Sequence, residues 1–510
     1  MVLLYTVNFT DAQPSLSPAG PVFGDSRDFA LTKLEGFLSG NDGYTIIQHP
    51  YPFFRNSTNA YKKLTNFFIY HTDDNVQSLQ TGTMEIPKAA PFYNFVKVFE
   101  NETEFVSIYT SYDKNEREYS IYETRFDKNE RNPVFNPKKI VSFEMTWREE
   151  GVLYTAASED KSKHSFSLLV FNRKNEFKGI YNMVMNEKGE ILWESTQGFN
   201  LDNKYFNISG TQVTNTGEMY LAMQSYDLNT RKTTATNTKL HLLKIGENEF
   251  EHTDMDIDFG SLKGTDILLT ENGRIFIGGY YSLKYSDVPC GIFSAVFDPS
   301  TNHFSQVRHR HLEGMVEDKN RNLKQIRNSD FNIELRTIEQ LENGEIFMLG
   351  EQVYIRAVID QRTGATTYVY HLKSVFYHHF NADGEEISSG NIDKYQIASC
   401  NYRTRDYADL TLSFDYMIKG NDVYLIYTDN TENSKNSPDP MKEYMADRKG
   451  KNSCTVVAHL PLDGDGQKYI INTYDETKKI FGRLVYYDDN GAVLSFIGGK
   501  KISFLQKLTY

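Results

Sequence analysis

One local pattern recurs along the chain: an apolar stretch, a tight turn ending in Gly, then an alternating run rich in Tyr, Phe, Ile and Val. Its best copies are Thr214-Asn-Thr-Gly217-Glu-Met-Tyr-Leu-Ala, Thr270-Glu-Asn-Gly273-Arg-Ile-Phe-Ile-Gly, Leu341-Glu-Asn-Gly344-Glu-Ile-Phe-Met-Leu, Ile418-Lys-Gly420-Asn-Asp-Val-Tyr-Leu-Ile and Asp488-Asp-Asn-Gly491-Ala-Val-Leu-Ser-Phe. Asn-Gly and related pairs supply the positive φ of a tight hairpin, and the period-two alternation puts one face of each strand on a core. Weaker copies sit at Asp42-Gly43, Asn101 and Glu150-Gly151. The eight turns lie 49 to 76 residues apart, about 64 on average, and eight such units fill the 510-residue chain.

Further strands follow each hairpin. After Gly273 come Gly291–Phe297 and His303–Arg308, and after Gly217 come Lys239–Lys244 and Glu249–Thr253, which makes four strands per unit. Repeated four-stranded units that bury their faces against one another predict an all-β fold. The expectation is a single β-propeller domain over residues 1–510, with eight blades of four-stranded antiparallel sheets. Seven blades is the fallback if the copy at Asn101 or Gly43 is not a blade. Tandem β-sandwiches compete but need linkers. The long polar stretch at 428–452 falls between a strand ending at Tyr427 and one starting at Cys454, and reads as a loop inserted in one blade. The last unit is one strand short, so an N-terminal strand, Leu3–Phe9 or Phe29–Leu34, is expected to complete it. Phe29–Leu34 has a second reading as the inner strand of the first blade.

The pattern resembles that of β-propeller proteins, and more loosely the uncharacterised large propeller-like cell-envelope proteins of Bacteroidota. The Gly-His…Trp-Asp pair of WD repeats, the kelch Gly-Gly with its spaced Trp and the Ser-x-Asp-x-Gly-x-Thr-Trp box of sialidases are missing, and the chain has two Trp in all. The resemblance implies a cell-envelope or secretion-associated scaffold, with periplasmic or envelope localisation favoured over cytoplasmic.

Charge narrows the partners. Lys plus Arg total 55 against 68 Asp plus Glu, a net charge of −13 that repels phosphate backbones and anionic lipid. Nucleic acid is therefore not expected as a partner. Aromatic residues, 34 Phe and 34 Tyr, fit a strand-rich chain with a large core rather than a disordered one. Cys290, Cys400 and Cys454 are too far apart in sequence for a zinc knuckle or disulfide framework. No apolar run is long enough for a membrane-spanning helix. Met1–Gln13 has a short apolar run without basic residues, interrupted by Thr6, Asn8 and Thr10, and reads as a strand or as a signal remnant.

Candidate chemistry is sparse. Neither a Gly-x-Ser-x-Gly elbow nor a His-Glu-x-x-His helix is present. His309 and His311 share one strand face without a third ligand, whereas His378 and His379 point to opposite faces. Asp463-Gly-Asp465-Gly-Gln467 departs from a calcium loop at Lys468 and Tyr474. No metal or cofactor is expected. If the strand before each Gly turn lines a central channel, the polar candidates there are Glu144, Arg148, Ser209, Gln212, Asp266, Glu334, Arg336 and Asp415. That mixture of carboxylates and guanidinium groups suits a small polar ligand such as a carbohydrate, or an acid and base pair. The insertion at 428–452 offers Met441, Tyr444 and Met445 as anchors for a protein partner. On this reading the favoured function is non-catalytic partner binding or scaffolding. The alternative is an enzyme or binding protein for a carbohydrate or other small polar ligand.

Overall fold

The computed structural model describes residues 14–16, 22–25, 32–39, 43–50, 66–88, 93–146, 148–174, 176–197, 205–228, 235–283, 288–305, 307–312, 332–400, 412–436, 444–445, 452–460, 467–488, 491–498 and 502–509. They form eight sheets in chain order, blades 1 to 8 of a β-propeller, with two short helices at Thr431–Asn436 and Tyr474–Thr477. The inner strands of blades 1 to 8 are Thr32–Ser39, Asn94–Glu100, Glu149–Ala157, Tyr205–Val213, Ser261–Leu269, Asn332–Gln340, Phe414–Lys419 and Lys479–Asp488. Within each blade the second and third strands pair antiparallel, each on the outer side of the one before it.

Alternation explains why these sheets stack. In the second strand of blade 5, Ile275–Ser282, every residue is buried. Ile275, Ile277 and Tyr281 pack with Ala222 and Leu240 of blade 4, while Phe276 and Tyr280 pack with Met348 and Phe380 of blade 6. A strand covered on both faces is apolar at both parities, because successive side chains point oppositely. Comparable cores join the other neighbours: Phe67 with Tyr109, Ile108 with Met183, Val184 with Leu221, Leu349 with Leu425, Ile426 with Phe496, and Val493 with Ile46. The last of these joins blade 8 to blade 1 and makes the sequence of interfaces cyclic.

The outer edge of blade 8 is completed by the N-terminal segments Ser15–Leu16 and Val22–Asp25, both antiparallel to Ile502–Thr509. They do the closing expected of Leu3–Phe9 or Phe29–Leu34. Leu3–Phe9 lies outside the described residues, and Thr32–Ser39 is the inner strand of blade 1. The Gly turns occupy the C-terminal ends of the inner strands, with Gly217, Gly273 and Gly344 at φ of 92°, 77° and 82°. Gly151 is different, because it lies inside the strand Glu149–Ala157. The turn of blade 3 is Ser158–Ser162, where Asp160 accepts from Ser158 Oγ at 2.6 Å and Ser162 N at 2.9 Å.

Blade 6 is enlarged. Its second and third strands, Ile346–Ile359 and Thr366–Phe380, form a long hairpin. The outer edge of that hairpin is shared between Glu386–Ile392 on one half and Gln396–Cys400 on the other. Tyr444–Met445, from the insertion, adds to Gln396–Ile397 in parallel. No described helix is long and apolar enough to cross a membrane.

Candidate functional site

A shallow cleft opens where blades 6, 7 and 8 meet, at the N-terminal ends of the inner strands and opposite the Gly turns. Phe414 and Asp415 of blade 7 and Phe481, Gly482 and Arg483 of blade 8 line it, together with Gln396, Leu412, Ser413 and Thr428. Arg483 Nη1 lies 3.4 Å from Asp415 Oδ1, and Asp415 Oδ2 accepts the Leu484 N–H at 2.7 Å. Gly482 is the extra residue of a bulge between Phe481 and Arg483, a local kink of the kind that re-aims side chains. Arg483 Nε is buried and makes no hydrogen bond among the described residues. One donor beside this cleft is therefore unused by the described residues.

Beneath the cleft is a buried ionic network. Glu351 and Lys394 are fully buried, with Lys394 Nζ 2.6 Å from Glu351 Oε1. Arg336 Nε donates to Glu351 Oε2 at 2.9 Å, and Ser413 Oγ donates to the same oxygen at 2.8 Å. Gln396 Oε1 accepts from Lys394 Nζ at 2.8 Å and from Ser413 N at 2.8 Å, while its Nε2 donates to Ser413 O and Thr428 O. Ser413 has a left-handed backbone, φ 78°, a conformation costly for a non-glycine residue and fixed here by its bonds to Gln396 and Glu351. Burial pulls the Lys394 amine below its ordinary range, against the opposing pull of Glu351. Nearby, burial pushes the fully buried Asp429 up to about 6, although Asn433 Nδ2 donates to its carboxylate at 2.8 Å.

A second polar cluster lies nearer the turn end of the inner strands. Tyr416 OH and Thr337 Oγ1 both donate to Glu339 Oε1, at 2.5 and 2.8 Å. Asp266 faces Gly210 of blade 4, where an added Cβ would stand 2.2 Å from Asp266 Oδ1. Burial first, and then the charge of Glu339, push the Asp266 carboxyl up to about 6, against the Ile267 N–H that donates to it. A raised folded-state value means that the folded molecule holds the proton more tightly. Stability contributed by this group is therefore lost as pH rises from about 4 to 6. Asp266→Asn is expected to be more stable than the parent by about 1–2 kcal/mol at pH 7, and the gain should vanish near pH 4. Denaturant melts at the two pH values check this, and a variant less stable at pH 7 contradicts it.

The candidates named from sequence are only partly brought together. Arg336 belongs to the buried network and Asp415 to the cleft. Glu334 is half-buried on the inner strand of blade 6, in register with Glu351. Gln212 Nε2 donates to Ile267 O at 3.0 Å and fastens blade 4 to blade 5. Ser209 is the extra residue of a bulge between Ile208 and Gly210. Glu144 and Arg148 are not on an inner strand: exposed Glu144 ends the outer strand of blade 2 and exposed Arg148 lies in the connection to blade 3. Their expected place fails with Gly151, which is not a turn.

Tyr444 also needs correction as a free anchor. It is buried against Tyr370, Leu372, Ala398 and Leu412 of its own chain, and its N–H donates to Tyr395 O. Met441 and the Met445 side chain lie outside the described residues, as does Asp463–Gly466. His309 stacks on Phe259 at 4.6 Å, while buried His378 and His379 meet Glu386 and Glu345 at 3.1 and 2.8 Å. Sequence reasoning missed Glu351, Lys394, Gln396, Phe481, Arg483, Glu339 and Tyr416, because their partners come from other strands and blades.

No protein-family model matches the chain, and no curated protein does. Among solved structures it is similar to polysaccharide lyase Uly1, at 10% identity over 83% of this chain and 94% of that one, with a TM-score of 0.34. It is also similar to the β-propeller domain of the Trilobed protease from Pyrococcus furiosus, at 8% identity over 74% and 96%, TM-score 0.31. A protein of unknown function from Bacteroides caccae matches at 8% identity over 64% and 90%, TM-score 0.27.

Proposed function

We propose that this propeller binds a small hydroxyl-rich ligand of the carbohydrate class in the cleft between blades 6, 7 and 8. The observation that carries this reading is the convergence there of two Phe rings, a carboxylate and a guanidinium with an unused donor. Apolar ring faces suit the C–H faces of a sugar, and Asp415 and Arg483 offer an acceptor and donors for its hydroxyls. The floor supplies rigidity rather than contacts: Gln396 and Ser413 are committed to Glu351, Lys394 and backbone atoms, so the wall above them is held in place.

Isothermal titration with a panel of neutral and acidic oligosaccharides tests the reading. At least one sugar is expected to bind, with affinity falling 10-fold or more, about 1.4 kcal/mol, in both Phe481→Ala and Arg483→Met. Failure of every sugar at millimolar concentration, or binding indifferent to both substitutions, overturns it.

Partner binding is the second reading, and one observation favours it. Near the tip of the blade 6 hairpin, Val358 and Ile359 are 40% and 64% exposed, apolar surface of the kind that docks a protein. A scaffold in a cell-envelope or secretion-associated complex is its most specific form. The same panel separates the two, since a scaffold acting through this rim has no sugar affinity at the cleft.

A further inference from the structure

We propose that blade 4 carries a metal site for a divalent ion of the zinc class, held by His241 Nδ1, His252 Nε2 and Asp254 Oδ1. His241 lies on the third strand, Ala235–Ile245, while His252 and Asp254 lie on the outer strand, Phe250–Met255. The register pairs His241 with Asp254 and Leu243 with His252. Directly opposed residues share a sheet face, and residues two apart on a strand share it too, so all three side chains emerge together. Their atoms converge on one point: His241 Nδ1 is 2.6 Å from Asp254 Oδ1 and 3.1 Å from His252 Nε2, and His252 Nε2 is 2.7 Å from the same carboxylate oxygen.

Without a metal, this arrangement aims two ring nitrogens at one oxygen and at each other, and at least one proton must sit in the gap. A divalent ion replaces those protons and turns all three lone pairs inward. Two imidazoles and a carboxylate are a donor set that zinc accepts, with water at the fourth position. Bonds of about 2.1 Å in a tetrahedral site require ligand atoms roughly 3.4 Å apart. The triangle must therefore open by about 0.3 Å on its longest edge and about 0.7–0.8 Å on the other two, and the half-exposed His252 and Asp254 side chains can supply that movement.

An independent feature sits behind the site. His241 Nε2 meets the Oγ of fully buried Ser225 at 2.8 Å, which orients the ring and keeps Nδ1 on the converging side. Metal-bound histidines are typically held by such a partner on the other ring nitrogen. The outer strand is exposed at Phe250, Glu251, His252 and Asp254, so the ion would clip it to the strand inside.

The test uses the full chain without an added polyhistidine segment, stripped with chelator and equilibrated with zinc chloride before metal analysis. One zinc per chain is expected, together with a visible absorption band when cobalt(II) replaces zinc. His252→Ala and Asp254→Asn, both at solvent-facing positions, should abolish stoichiometric binding with unchanged circular dichroism. Ser225→Ala should weaken binding about 10-fold. No zinc retained at equimolar concentration, or equal retention by the His252 and Asp254 variants, overturns the proposal.

Discussion

Replacing Glu351 with Ala is expected to destabilise the protein by about 3–5 kcal/mol, the typical cost of breaking a buried ion pair from one side. Lys394 is fully buried against Glu351, and Arg336 donates to the same carboxylate. Without Glu351 the ammonium loses its ion-pair partner and keeps only the weaker pull of Asp429, so it must either deprotonate or open the floor of the cleft to water. Ser413, in its left-handed conformation, loses its hydroxyl acceptor at the same time. The double variant Glu351→Leu with Lys394→Met should recover much of the loss, because removing both charges removes the desolvation cost as well. Denaturant unfolding of the three proteins measures it. A single variant within 1 kcal/mol of the parent would contradict the role given to this network.

Gly279→Ala is expected to cost about 3 kcal/mol, the upper end of what one added methyl does in a packed core. An added Cβ there would stand 1.9 Å from the backbone oxygen of Gly264, its neighbour on the inner strand of blade 5. That contact cannot relax by rotating a side chain, so the two strands must separate between blades 4 and 6. Gly273→Ala is a suitable comparison: its Cβ meets nothing within 4 Å, so its cost comes from the positive φ of 77° alone. Equal costs at the two positions would contradict close packing as the reason for the first.

The contrast between these glycines shows what could be read along the chain. Turn glycines such as Gly217, Gly273 and Gly344 are legible because the backbone conformation they permit is local, and they mark the blades that carry them. Blade 3 hides its turn, since Asp160 builds it with side-chain hydrogen bonds and no glycine. The nearby Gly151 then draws the phase to the wrong place and carries Glu144 and Arg148 with it.

Bulges scramble the facing of inner-strand residues in a similar way. Ser209, Lys263, Arg336 and Gly482 each interrupt the register of an inner strand. One extra residue reverses the alternation counted back from the turn. Arg336 reaches Glu351 from such a bulge. The ionic network itself has no local signature, because Arg336 and Glu351 come from two strands of an enlarged blade, Lys394 from a connection within it and Ser413 from the lead-in to the next. The grouping of His241 with Asp254 depends likewise on cross-strand register rather than on spacing.

The most direct measurement is a crystal structure of the full chain soaked with the best-binding oligosaccharide from the titration panel. A sugar ring packed against Phe414 or Phe481, with a hydroxyl accepting from the Arg483 guanidinium and another near Asp415, is the predicted result. Sugar density elsewhere on the propeller, with this cleft empty at saturating ligand, would contradict the assignment of the site.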